Sequence, residues 1–115
     1  MRRLSLAVLA LVVLPVAGAC SSAASGASGG APTTPAATVV LQGIAFHPVT
    51  VTVHPGDTVE WQWNDNGIVH NVIGDDGMHS PDQGGGTFFH RFRQAGTFNY
   101  QCSLHAGMTG TVIVG

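Results

Sequence analysis

The sequence predicts an all-β sandwich of about seven to eight short strands within residues 38–115. Three observations point there. Turn signals built from Pro, Gly, Asn and Asp recur at intervals of roughly eight to twelve residues. The stretches between them are rich in β-branched and aromatic residues, and several alternate apolar with polar side chains. No stretch carries the i, i+3, i+4 apolar pattern of a helix.

Taken in order, residues 38–46 are β-branched and read as one strand. Val51-Thr52-Val53 is a second, stopped by the strong turn signal His54-Pro55-Gly56-Asp57. Residues 58–63 alternate: Val59, Trp61 and Trp63 share one face and are expected in the core, while Thr58, Glu60 and Gln62 share the other. After the turn at 64–67, residues 69–73 predict a fourth strand, and 74–86 read as a long polar loop. Residues 87–92 and 97–102 read as a hairpin about the turn 94–96, with Phe98, Tyr100 and Cys102 on one face. Residues 109–114 close the chain as a final strand.

Upstream of this domain the composition changes. Residues 1–19 read as an export signal: Arg2 and Arg3, an apolar run over 4–14 too short to cross a bilayer, then small residues at Ala17, Gly18 and Ala19. Cys20 follows directly. The segment resembles a bacterial lipoprotein signal, which implies lipid on Cys20; Ala17 departs from the large aliphatic residue usual there, and the same small residues suit plain secretion. Residues 21–37 are small, polar and proline-bearing, the composition of a flexible tether. The expected location is extracytoplasmic, at the cell surface or in a periplasm, with the membrane reached only through the lipid.

Charged residues make up 9% of the chain, and there is no lysine. Without Arg2 and Arg3, six acids face Arg91 and Arg93, a balance of −4. That excludes a polyanion binder and a polybasic membrane patch. Only two cysteines are present. With Cys20 lipidated, no internal disulfide can form, and Cys102 is a lone thiol in an exported protein.

The reason for that thiol lies in its neighbours. Cys102, His105 and Met108 place a thiolate, an imidazole and a thioether at three-residue steps beyond a strand end. His70, flanked by apolar residues, is the best candidate for a fourth donor. Two imidazoles, one thiolate and a weak axial thioether describe a blue-copper electron-transfer site. Zinc rarely takes thioether, calcium and magnesium want oxygen, and an iron–sulfur cluster needs more thiolates.

The stretch AGTFNYQCSLHAGMTGTVIV (residues 95–114) resembles the final hairpin and ligand loop of the cupredoxins, the small blue copper proteins. Residues 46–63 and His70-Asn71-Val72 resemble their first half. The short ligand spacing is similar to that of amicyanin, and the domain looks plastocyanin-like. The resemblance implies a Greek-key β-sandwich and one type 1 copper cycling between Cu(II) and Cu(I) on His70, Cys102, His105 and Met108. It also implies that Asn71 ties the His70 segment to the Cys102 region. His105 is then a partly exposed exit for electrons within an apolar patch, where a redox partner docks on a monomer. Loop 74–86 departs from the family, which bears on partner recognition, and so does His90.

Among the other residues of metal-binding type, His47 and His54 precede prolines and read as turn or surface residues. His90 alternates with Phe88 and Phe92 and is expected to point inward. Met78 and His79 suit copper loading, but a solvated loop is the simpler reading, as solvated charges are for Asp75 and Asp76. The expected function is one-electron transfer without catalysis. The alternative is copper binding and delivery, although the Met-rich or multi-His runs usual for that are lacking. Further copper centres built on His-x-His or His-Cys-His, as a copper oxidase or nitrite reductase needs, do not occur in the sequence.

Overall fold

The computed structural model describes residues 34–115; the export signal, the lipidation of Cys20 and most of the tether lie outside the described residues. The eight strands are β1 (Ala37–Leu41), β2 (Phe46–His47), β3 (Thr50–Val53), β4 (Thr58–Trp63), β5 (Ile73–Gly74), β6 (Thr87–Arg91), β7 (Gly96–Gln101) and β8 (Thr109–Val114). They form two four-stranded sheets, β2-β1-β4-β6 and β3-β8-β7-β5. Each sheet is mixed: β1 lies parallel to β4 and β3 parallel to β8, while the remaining pairs are antiparallel. No helix occurs among the described residues.

The alternation read in β4 is realised from Val59 onward, while Thr58 at its start is buried too. Val59, Trp61 and Trp63 are buried, as are Val39 and Leu41 of the neighbouring β1 and Val112 and Val114 of the facing sheet. Trp61 is fully buried and meets Tyr100 edge-on, with ring centroids 5.4 Å apart. Tyr100 lies opposite Gly110 in the β7–β8 register, and a Cβ on Gly110 would fall 2.2 Å from its ring. Gly110 is therefore the socket for the phenol.

Four local readings are corrected. Residues 38–46 are not one strand. The chain turns back over 42–45, with Gly43 and Ile44 both left-handed (φ 62° and 54°) and Gln42 N–H donating to the Ala45 carbonyl. Residues 69–73 do not form a continuous strand either. His70, Asn71 and Val72 are all buried, so no face alternates, and after the single His70–Gln83 bridge side chains interrupt the ladder: Cys102 Sγ accepts from Asn71 N–H at 3.5 Å and Ser80 Oγ from Val72 N–H at 2.7 Å. Third, Met78 is a core residue at 3% exposure, although its loop is polar. Fourth, residues 87–92 and 97–102 are not a hairpin: the turn at 94–96 carries the chain from one sheet to the other, where β6 pairs with β4 and β7 with β8 and β5.

His90 is half-buried rather than interior. Its Nε2 lies 2.9 Å from Asp76 Oδ2, so Asp76 is a hydrogen-bonded partner and not a free surface charge. The exposed His47 and His54 brace turns through the carbonyls of Gln42 and Gly115.

The register defines two poles. β1 ends beside Trp63, whose indole N–H donates to the His70 carbonyl at 3.1 Å. It begins at the other end, where Ala36 N–H donates to Thr58 O and Thr58 pairs with Arg91. Chain entry, the turn at 54–57 and both arginines of the domain therefore sit away from the end that holds His70.

Candidate metal centre

Cys102 follows the last residue of β7 and is 3% exposed. Its N–H donates to the Met108 carbonyl at 2.9 Å, and Met108 N–H donates to the His105 carbonyl at 3.3 Å. These bonds close the ligand loop on itself, and Gly107 takes the left-handed conformation that the tight return requires (φ 80°). Met108 is buried at 2% exposure, one residue before β8. His105 is half-buried and its Nε2–H donates to the Val69 carbonyl at 3.0 Å.

His70 comes from the other side of the site and has no exposed surface. Its Nε2 lies 2.7 Å from Asp65 Oδ2, and its Nδ1 lies 3.9 Å from Cys102 Sγ. Donation of Nε2–H to the carboxylate fixes the tautomer that leaves the Nδ1 lone pair facing the sulfur. The two imidazole rings have centroids 4.7 Å apart.

The donor atoms of His70, Cys102 and His105 all lie within 4.8 Å of one another, and no other such cluster occurs among the described residues. Ligands at about 2.0–2.3 Å from one ion stand roughly 3–4.5 Å apart, so the spacing suits a single metal. The donors are two imidazoles and a thiolate, with a thioether on the same loop, which favours copper over zinc or a hard cation.

Surrounding bonds hold this arrangement. Asn71 N–H donates to Cys102 Sγ at 3.5 Å. The Asn71 side chain accepts from Ser103 N–H at 2.8 Å and donates to Ser103 Oγ and Asp82 Oδ1 at 2.7 and 2.8 Å. Asn71 thus straps the His70 segment to the residue after Cys102.

Asp65 is the residue that sequence reasoning missed. It is 6% exposed, and its two oxygens accept the Gly43 and Ile44 N–H groups at 2.9 Å each, besides the His70 contact. The N–H of Ile44, then His70, hold its carboxyl below the usual carboxylate range. Its signal was available as an acid in a turn five residues before a candidate ligand.

The exposed apolar residues Ile68, Val69 and Leu104 belong to segments that carry or touch the candidate ligands, and exposed Ile44 bonds through its N–H to Asp65, the partner of His70. His47, His54, His79 and His90 lie outside the cluster.

The description of copper binding proteins of the plastocyanin/azurin family fits residues 36–115. Halocyanin from Natronomonas pharaonis is 36% identical over 63% of this chain and 49% of its own length. Chloroplastic plastocyanin from Tetradesmus obliquus is 34% identical over 62% of this chain and 59% of its own. The chain thus spans about half the length of these curated relatives. Among solved structures, a purple cupredoxin from Nitrosopumilus maritimus superposes with a TM-score of 0.63 at 26% identity, covering 69% of this chain and 99% of that one. An oxidised amicyanin variant gives 0.62 at 26% identity, covering 70% and 82%.

Proposed function

The chain belongs to the plastocyanin/azurin family of copper-binding proteins, and from that premise we propose that it carries single electrons between redox partners. The ligands are His70, Cys102, His105 and Met108. The observation that carries this reading is the convergence of the Cys102 sulfur and two imidazole nitrogens within 4.8 Å, in a buried setting.

Bound copper supplies a Cu(II)/Cu(I) couple; the protein supplies its surroundings. Burial of His70, Cys102 and Met108 excludes water from the donor set. The Asp65 and Asn71 bonds hold His70 and the Cys102 loop in one arrangement, so little rearranges when one electron moves. Half-buried His105 is the route to the surface, and the apolar rim of Ile44, Ile68, Val69 and Leu104 is the docking face for a partner. Four side-chain donors leave no position for a substrate, which makes the protein a carrier rather than an enzyme.

The protein is exported and held to a membrane by lipid on Cys20. Chain entry at Ala36 lies at the pole away from His70, so an anchored domain keeps its docking face free. Mass spectrometry of the mature N-terminus reads the lipid directly.

The functional test is a redox titration of the copper-loaded protein. The expected result is one reversible electron per copper, with a blue band that bleaches with ascorbate and returns in air. A colourless complex that holds only Cu(I) would favour copper delivery instead.

A further inference from the structure

Loop 74–86 reads in the sequence as a polar connection, yet its last residues press backbone on backbone against the segment that carries His70. His70 N–H donates to the Gln83 carbonyl at 2.9 Å and Gln83 N–H returns to the His70 carbonyl at 3.0 Å. One residue further, Gly84 lies so close to the turn before His70 that a Cβ would stand 2.6 Å from the Gly67 carbonyl oxygen and 3.2 Å from its carbon. Ordinary carbon contacts are roughly 3.5 Å or more, so any side chain at 84 must displace that turn. The obstruction is main chain, not a flexible side-chain tip, and it has no rotamer to escape into. Gly67 itself is left-handed at φ 80°, and Trp63 N–H donates to the Gly86 carbonyl at 3.0 Å. Residues 63–70 are therefore seated against 83–86 from both ends.

We propose that Gly84 is a positioning residue for the copper centre: by lacking a side chain it lets residues 65–70 sit deep enough to bring His70 Nδ1 to the Cys102 sulfur. The proposal rests on the metal-site reading above. Asp65 and His70 share the displaced segment, so pushing Gly67 outward draws both away from Cys102 together. A weakened imidazole bond disfavours Cu(II) more than Cu(I), which raises the reduction potential.

The neighbouring glycine provides the control. A Cβ on Gly85 meets nothing within 4 Å, and neither Gly84 nor Gly85 has a left-handed φ. In the full-length chain, G84A should bind copper about tenfold more weakly than G85A and titrate at a higher potential, while G85A matches wild type. Equal affinity and potential for G84A and G85A would overturn the proposal.

Hydrogen exchange of the metal-free wild-type chain gives a reading that needs neither copper nor a folded variant. The His70 and Gln83 amides should be protected like those of β4; exchange as fast as an exposed loop would overturn the clamp. A chain that took no copper but kept this protection would sink the electron-transfer reading and leave the clamp standing.

Discussion

Asp65 Oδ2 accepts the Nε2–H of His70 at 2.7 Å, inside the protein, while the same carboxylate holds two backbone N–H groups of the turn at 42–45. One side chain thus joins a ligand to a turn that includes Ile44, a β-branched residue in left-handed backbone at φ 54°. Such strain persists only where surrounding bonds impose it, and Asp65 supplies them.

Asp65→Asn should weaken the site. An amide has one acceptor oxygen where the carboxylate offers two, so its NH2 must face a donor it cannot satisfy. The expected outcome is a lower melting temperature and a copper affinity lower by about 10–100-fold. Thermal melting and competition titration with a chelator check both.

The same carboxylate sets an acid limit for the metal-free protein. Its folded pKa is held below the ordinary 3.8, so its contribution to stability is fully present above that pH. The contribution is lost as pH falls through the lower folded value. The difference in melting temperature between wild type and Asp65→Asn should be largest near neutrality and close below about pH 4.

Tyr100 is the only tyrosine in the chain, so phenolate absorbance reads one group. Burial pushes its pKa up to about 12. The folded protein should titrate there, and the denatured chain near 10. The raised value contributes stability that is complete below about pH 10 and lost as pH climbs toward about 12. Tyr100→Phe should remove that slope.

Met78→Ala should cost about 2–5 kcal/mol, the range for emptying a buried site of this size, and leave the blue band in place. Denaturant unfolding with a visible spectrum of the loaded protein separates the two effects.

Met108→Gln should keep the thiolate-to-copper band and lower the potential, because an amide oxygen supports Cu(I) less well than a thioether. Voltammetry of the two proteins checks the direction.

The strands were legible where one face is buried and the other wet. β4 and β7 alternate, and Trp61, Trp63, Tyr100 and Cys102 lie where that alternation puts them. Cys102, His105 and Met108 were legible as candidate donors because soft or borderline groups stand at equal spacing, and the fold brings Cys102 and His105 together with His70. Residues 70–72 were not, because consecutive burial erases alternation and side chains of Cys102 and Ser80, rather than strand carbonyls, accept the Asn71 and Val72 amides. Asp65 was hidden because a turn acid is usually solvated, and only the folded chain brings residues 43 and 44 onto it. Met78 was hidden for the converse reason: a polar loop carried one apolar side chain into the core.

The electron-transfer reading depends on Cys102, His70 and His105 sharing one copper ion. X-ray absorption at the copper edge of the Cu(II)-loaded protein measures that most directly. The account predicts one short copper–sulfur and two copper–nitrogen distances at one copper per chain, with the short sulfur distance lost in Cys102→Ser. A spectrum with no short sulfur distance, or one unchanged by that substitution, would contradict it.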